Sequence, residues 1–444
     1  MRLSVYKRHY KEIIKLGIPI MLGQLGIIIV GFADNMMVGH HSTAELAAAS
    51  FVNNFFNLAF IFGMGFSYGL TPIIGGLFAK EDHYNAGVTL KNSLFINLLV
   101  GIILSLCMLL LFFNIDKLNQ PEELMPYIIP YYTLQLVSVI FTMLFNSFKQ
   151  FSDGITDTLT PMWIMLSANV INIIGNYILI YGNFGAPELG LTGAGISTLT
   201  SRILMLVTFV ALFFKRQGYR HYLIGFKDGK IEKERLKQLT RLGIPVGLQM
   251  GVESGSFNLS VIMMGWIGSA ALAAHQVIGV ITTIGFMVYY GIAAAVTIRV
   301  SLFKHWNDMV NVRRVSFAGL HIILAVALIV MLLILVFRDE MGYLFTPEKE
   351  VVALVALLGW SAILYQPGDG LQILFANALR GLADVKYMAW MAFVCHFGLA
   401  LPIGYFCGFI LDWGAIGIWV GFPISLTSLG LLLAYRFNKL TSSK

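Results

Sequence analysis

The chain has 444 residues, 57% hydrophobic and 12% charged, with a mean hydropathy of +0.78. Soluble globular chains carry about 25% charged residues, so a soluble fold is excluded and an all-α integral membrane protein is expected. The net charge of +7 comes from basic residues scattered in short connections between apolar runs, a pattern of membrane anchoring that argues against a nucleic-acid partner.

The N-terminal stretch "MRLSVYKRHYKEIIKLGIPIMLGQ" is basic and then apolar, with no small-residue cleavage site before a long first span. A retained first helix is expected rather than a removed signal peptide. Apolar runs of roughly 20 residues cross a bilayer as helices. Twelve occur, at 13–38, 48–76, 88–113, 126–149, 160–182, 192–214, 239–265, 271–302, 314–337, 351–378, 386–410 and 414–436. With a cytoplasmic N-terminus, cytoplasmic segments hold 26 Lys and Arg and outer loops hold only Lys117, Arg338 and Lys349. Both termini are therefore expected in the cytoplasm. The long polar connection 215–241 carries nine basic residues and is expected on that face, with an amphipathic piece along the headgroups. It separates six spans from six, giving expected lobes of 1–225 and 226–444.

The halves are related. "LGIP" at 16–19 recurs at 242–245, a shift of 226 that also sets Gly39 on Gly265, Gly65 on Gly291 and Thr71 on Thr297. At a shift of 227, "QFSDGITD" (150–157) meets "NALRGLAD" (377–384). An even number of spans per half makes the repeats parallel, an arrangement of transporters with a central path. The acids do not repeat: Asp34 falls on Ser260, and Glu253 on Ile27.

Asp34, Glu253 and Asp369 are the acids that interrupt apolar runs, and an ionisable group in a span marks an ion or substrate path. Glu253 lies 12 residues after Arg241 and Asp369 lies 11 before Arg380. Both are thus about 17 Å in from the cytoplasmic face, near the midplane. The two could share a proton or hold one Na⁺. Tyr365, one helical turn before Asp369, could complete the site. Pro367, Gly368 and Gly370 favour a break in this span, which would free carbonyls for a cation. Asp34 belongs to the outer half of the first lobe, level with Asn176 and Thr198 and one turn from Asn172, a second candidate cation site.

Arg202 is mid-span and could pair with an acid, act as a gate or serve packing. His396 is expected to be a satisfied interior histidine. His40 and His275 sit near outer span ends. Asn53, Asn54 and Asn57 could line a path or bond between helices. "GMGFSYG" (63–69) lacks the strand-loop-helix context of a phosphate cradle, so it is expected to serve close helix packing. Cys107, Cys395 and Cys407, without metal-ligand spacing, are expected to be small core residues. The many Met and Phe are packing surface that could also supply an adaptable cavity wall.

Three stretches carry a family resemblance: "GFADNMMVGHHSTAELAAAS" (31–50), "LGIPVGLQMGVESGSFNLSVIMMGWIGSAALAAHQV" (242–277) and "PGDGLQILFANALRGLADVKYMAW" (367–390). With the twelve-span repeat, they resemble the MATE (multidrug and toxic compound extrusion) family, in its NorM-type bacterial branch, over essentially the whole chain. The resemblance implies two pseudo-symmetric six-helix bundles in a V. It implies a bacterial inner-membrane antiporter, not an enzyme, that expels cationic or polar-aromatic drugs and dyes against Na⁺ or H⁺. By motif, Glu253, Asp369 and Tyr365 would be the second-lobe cation site, and Asp34 with Asn172, Asn176 and Thr198 the first-lobe site. Some relatives carry Asp at the position of Asn176; its absence weakens the case for a proton relay there. No cofactor beyond the coupling ion is expected, and the protein is expected to be a monomer. The alternatives are a flippase for lipid-linked saccharides, whose anionic head would want cavity cations, and a membrane enzyme or passive channel, for which no catalytic constellation is visible.

Overall fold

The computed structural model describes residues 5–114 and 121–442; Arg2, Lys117 and Lys444, counted above as basic anchors, lie outside the described residues. The described chain is helical. In order it forms α1 (Lys7–His41), α2 (Thr43–Ser67), α3 (Leu70–Ala79), α4 (His83–Phe112), α5 (Met125–Gly154), α6 (Leu159–Tyr181) and α7 (Gly190–Lys215). Then follow α8 (Leu223–Asp228), α9 (Lys233–Ile267), α10 (Ser269–His305), α11 (Met309–Phe337), α12 (Lys349–Gly381), α13 (Val385–Cys395), α14 (Leu401–Tyr405) and α15 (Gly414–Ser442).

Eleven helical segments among the described residues are long and apolar enough to cross a membrane. The twelfth expected span is α9, which is 35 residues long but is diluted in hydropathy by Gln249, Glu253, Ser254, Ser256, Asn258 and Ser260. The span that carries most polar groups is thus the one that apolarity alone scores lowest. The second span is α2 and α3 together, and the eleventh runs Val385–Ile410. In that eleventh span α13 and α14 are joined by π-helical turns, His396–Ala400, with a second such turn at Phe406–Ile410. Pro402 removes a backbone donor in this stretch, and the Ser425 hydroxyl donates to the Cys395 carbonyl at 2.8 Å.

The break expected at Pro367 is absent: α12 is one helix of 33 residues running through it. A proline removes a single backbone bond, and close packing holds the rest. A Cβ on Gly368 would meet Thr427 Oγ1 at 2.6 Å, and one on Gly370 would meet Ile323 Cγ2 at 2.5 Å. The two glycines admit α15 and α11 rather than open the backbone.

Packing groups the described chain into two compact units. One runs from Leu22 to Gly247; the other takes the segment ending at Met21 with everything from Leu248 onward. The early turns of α1 therefore pack within the second of these. There His9 Nε2 lies 3.2 Å from Asn311 Oδ1 and Tyr10 Oη lies 2.9 Å from His321 Nδ1. A Cβ on Gly291 would come within 2.7 Å of Met21 Cβ and 2.9 Å of the Gly17 carbonyl. In the Leu22–Gly247 unit, a Cβ on Gly65 would come within 2.8 Å of Gly247 Cα. Gly65 and Gly247 are the repeat partners of Gly291 and Met21, so the same helix crossing is built twice. The "GMGFSYG" segment serves close packing, as expected.

The linker after α7 is docked rather than free. Lys91 Nζ donates to the carbonyls of Lys227 and Gly229 at 3.1 and 2.8 Å, and Asn92 bonds Lys230 and Glu232. These bonds hold α8 against α4. Cys395 and Cys407 are buried, but Cys107 is exposed on its helix and is not a core residue.

Candidate functional site

In the unit from Leu248 onward, α9 and α12 bring a polar face together inside apolar helices. Positions 365, 369 and 372 follow i, i+4, i+7 and share one face of α12; Gln249 and Glu253 do the same on α9. Glu253 Oε2 accepts from Gln249 Nε2 at 3.0 Å and from Gln372 Nε2 at 3.3 Å. No hydrogen bond joins Glu253 to Asp369. Asp369 is fully buried, and neither carboxylate oxygen has a hydrogen-bond partner among the described residues. Gln249 Oε1 and Gln372 Oε1 are also without donors, so four buried acceptor oxygens here have no proton directed at them.

Tyr365 is buried and shares the Asp369 face, with its ring against Phe257 and Trp419, but it makes no hydrogen bond to either acid. Beside it Gln366 Oε1 accepts from the Tyr289 hydroxyl of α10 at 2.7 Å. The three glutamines and Tyr289 were not anticipated from sequence. The helical spacing of the glutamines from Glu253 and Asp369 was the available signal; Tyr289, on another helix, gave none.

In the Leu22–Gly247 unit the four residues matched by depth meet directly. Asn176 Nδ2 donates to Asp34 Oδ1 in a short contact. With its amide nitrogen turned toward Asp34, Asn172 donates to the same oxygen at 3.0 Å, and its own oxygen accepts from Thr198 Oγ1 at 3.3 Å. Asn172 and Asn176 are one turn apart on α6, and a Cβ on Gly175 between them would lie 2.4 Å from Ser197 Oγ. That glycine lets α7 approach closely enough for Thr198 to join. Asn176 Oδ1 is buried and has no donor.

Arg202 pairs with no carboxylate among the described residues. Its Nη1 donates to Gln135 Oε1 at 3.1 Å and, in a short contact, to Ser138 Oγ; its guanidinium carbon lies 4.5 Å from the Phe60 ring centre. Gln135 in turn donates to Tyr131 Oη, which donates to Asn53 Oδ1. Of the asparagines on α2, Asn53 is therefore in an interhelical bond.

His396 is completely buried, as expected, but it is not satisfied: neither ring nitrogen has a partner among the described residues. His275 accepts from Trp419 Nε1 at 3.0 Å, and His40 Nδ1 bonds the Met36 carbonyl at 2.7 Å, both packing roles. No group of three or more His, Cys, Asp or Glu side chains able to hold a metal ion occurs among the described residues.

The family profile MatE matches residues 19–178 and again 245–406. Its two matches start 226 residues apart, the spacing of the internal repeat. "Multidrug resistance protein NorM" of Vibrio cholerae serotype O1 is 30% identical over 437 residues, 97% of this chain and 95% of that protein. "Probable multidrug resistance protein NorM" of Xylella fastidiosa (strain Temecula1) is 28% identical over 441 residues, 98% of this chain and 93% of its own length. Among solved structures, a MATE protein in a bent conformation superposes with a TM-score of 0.89 at 19% identity, covering 99% of this chain and 96% of that one. The eukaryotic MATE transporter AtDTX14 gives 0.87 at 18% identity, with 98% of each chain covered. At those identities the structures speak to fold, which they share with this chain.

Proposed function

The chain belongs to the MatE family, and from that premise we propose that it exports cationic or polar-aromatic drugs and dyes in exchange for Na⁺ or H⁺. Its relatives named as multidrug resistance proteins, matched over nearly their whole length, support the reading. The observation that carries it is Asp369. A carboxylate sealed in an apolar helix with no donor carries a large desolvation cost unless a positive charge or a proton sits at it. Such a group is built to be loaded.

Glu253, Asp369 and the carbonyl oxygens of Gln249 and Gln372 are the donors that would receive the coupling ion; oxygen-rich sets of this kind suit Na⁺ as well as a proton. Tyr365 walls the site. Asp34, with Asn172, Asn176 and Thr198, is the second acidic site, available to the ion or to the cationic end of a drug. Empty of ion, the acids attract a cationic cargo; loaded, they no longer do, and the cargo leaves. Linkage then requires that cargo and ion oppose each other in binding by one coupling free energy.

The same reading places the protein in the bacterial plasma membrane as a monomer, with both termini in the cytoplasm. It assigns no catalytic step and no cofactor. A lipid-linked saccharide flippase would need cations to hold a pyrophosphate, and both polar sites centre on acids.

The test is ethidium efflux from proteoliposomes with a Na⁺ gradient and, separately, a proton gradient. Efflux that follows one gradient supports exchange and names the ion. Efflux indifferent to both, or none, contradicts it.

A further inference from the structure

Arg202 is not used by the exchange just described, yet among the described residues it is the one Lys or Arg in the middle of a span. In α7, which runs Gly190–Lys215, it is 12 residues from the start and 13 from the end. At 1.5 Å per residue it is about 18 Å from either end, beyond the reach of a lipid phosphate. An unpaired cation at that depth costs at least about 2.5 kcal/mol.

Its protein contacts do not explain why it is charged. Gln135 Oε1 and Ser138 Oγ both bond Nη1, and a neutral amide could serve them. A guanidinium has five donors in a planar fork; those on Nε and Nη2 bond nothing among the described residues. Neither is among the side-chain nitrogens sealed without a partner, and Arg202 as a whole is only partly buried. The Phe60 ring centre, 4.5 Å from the guanidinium carbon, makes a cation–π contact with the group. What remains open is the Nε–Nη2 edge, the face that takes a carboxylate through two parallel bonds. Thr198 lies four residues earlier on the same face of α7 and is already tied to Asp34 through Asn172. Thr198, at the edge of the acid site, and Arg202 are therefore one helical turn apart on α7 in the same unit.

We propose that Arg202 binds an anionic group of the cargo, so that this unit selects zwitterions: an ammonium toward Asp34 and a carboxylate on the Nε–Nη2 edge. The proposal rests on the transport reading above and names a substrate class for it.

The probes are a rhodamine bearing a free carboxylate and its methyl ester, alike except for the negative charge. Equilibrium binding to purified full-length protein, by fluorescence anisotropy, is measured beside efflux from proteoliposomes. Arg202→Gln should weaken binding and efflux of the carboxylate dye about tenfold, the scale of one bidentate charged pair, with the ester changed less than about twofold. Arg202→Lys, which keeps the charge and loses the fork, should still favour the ester over the carboxylate dye relative to wild type. Equal losses of both dyes in Arg202→Gln would make Arg202 a packing residue and overturn the proposal, as would no loss of either. A wild-type protein that binds and exports the ester but not the carboxylate dye overturns it while leaving the transport reading intact. If wild type exports neither dye, the transport reading fails, and the binding ratio alone still decides the role of Arg202.

Discussion

Burial and bonding part company at a few side chains, and each makes a measurable claim. Lys149 and Asp153 are both nearly sealed, with Nζ and Oδ2 2.8 Å apart one turn apart on α5. In sequence Lys149 reads as one more cytoplasmic anchor, because nothing local says that the end of that helix is enclosed. Asp153→Ala leaves a buried ammonium uncompensated and should cost about 3–5 kcal/mol. Replacing both residues by Leu and Met should recover most of it; chemical denaturation in detergent reads both, and no recovery would mean the pair serves more than its own charges. His396 offers the reverse case. Its two partnerless ring nitrogens mean that His396→Phe should hold or raise the melting temperature, since an unmet buried polar group costs about 1–3 kcal/mol. A marked fall would show that the imidazole has a partner, such as water, that matters. The acids at 34, 253 and 369 stand out in sequence because a charge inside an apolar run is rare. Whether each has donors is a property of neighbouring helices, and no single run of residues contains it.

Helices were legible as apolar runs, with boundaries that the structure extends, because their hydropathy is set by the bilayer rather than by their neighbours. Departures from plain helix were not. Pro367 reads as a break and is packed into continuity, while the π-helical turns at 396–400 and 406–410 have only Pro402 to announce them. The helix crossings depend on atoms that are missing: Gly65 against Gly247, Gly291 against Met21. Gly291→Leu should lower stability by about 1–3 kcal/mol through overpacking, read as a lower melting temperature, and an unchanged melt would show that α1 can move aside. The starts of α4 and α11 are also matched. Asp82 accepts from Asn85 N at 3.1 Å, and its repeat partner Asp308 accepts from Asn311 N at 3.0 Å. The Asn311 backbone N–H holds the Asp308 carboxyl below its usual range. Its stabilising effect is thus complete above the unfolded carboxylate value and is lost as pH falls through the lowered one. Asp308→Ala should cost about 1 kcal/mol at neutral pH and less in acid; a cost independent of pH would assign the effect to something other than the carboxylate.

At the scale of the molecule, the repeat extends to backbone strain. Glu81 and Asn307, 226 apart, both have φ of 56°, and Thr156 and Ala383, 227 apart, have 69° and 60°. Non-glycine residues seldom adopt that region, so two matched pairs point to one ancestral scaffold used twice. Onto it the two units carry different polar chemistry: Asp34 held by two amides in one, Glu253 and the donor-free Asp369 in the other. The common scaffold is visible in sequence as "LGIP" and its register; the division of each of α1 and α9 between packed units is not, because it depends on which partner each half of a helix meets. The account stands on the acids of the second site being loaded by the ion that drives export. The most direct measurement is gradient-driven dye efflux from proteoliposomes carrying Glu253→Gln or Asp369→Asn, beside wild type at matched protein levels. Each variant should lose at least about tenfold in its response to the imposed gradient, the loss expected when a buried charge that binds a cation is removed. Efflux that follows the gradient as in wild type, in both variants, would contradict the account.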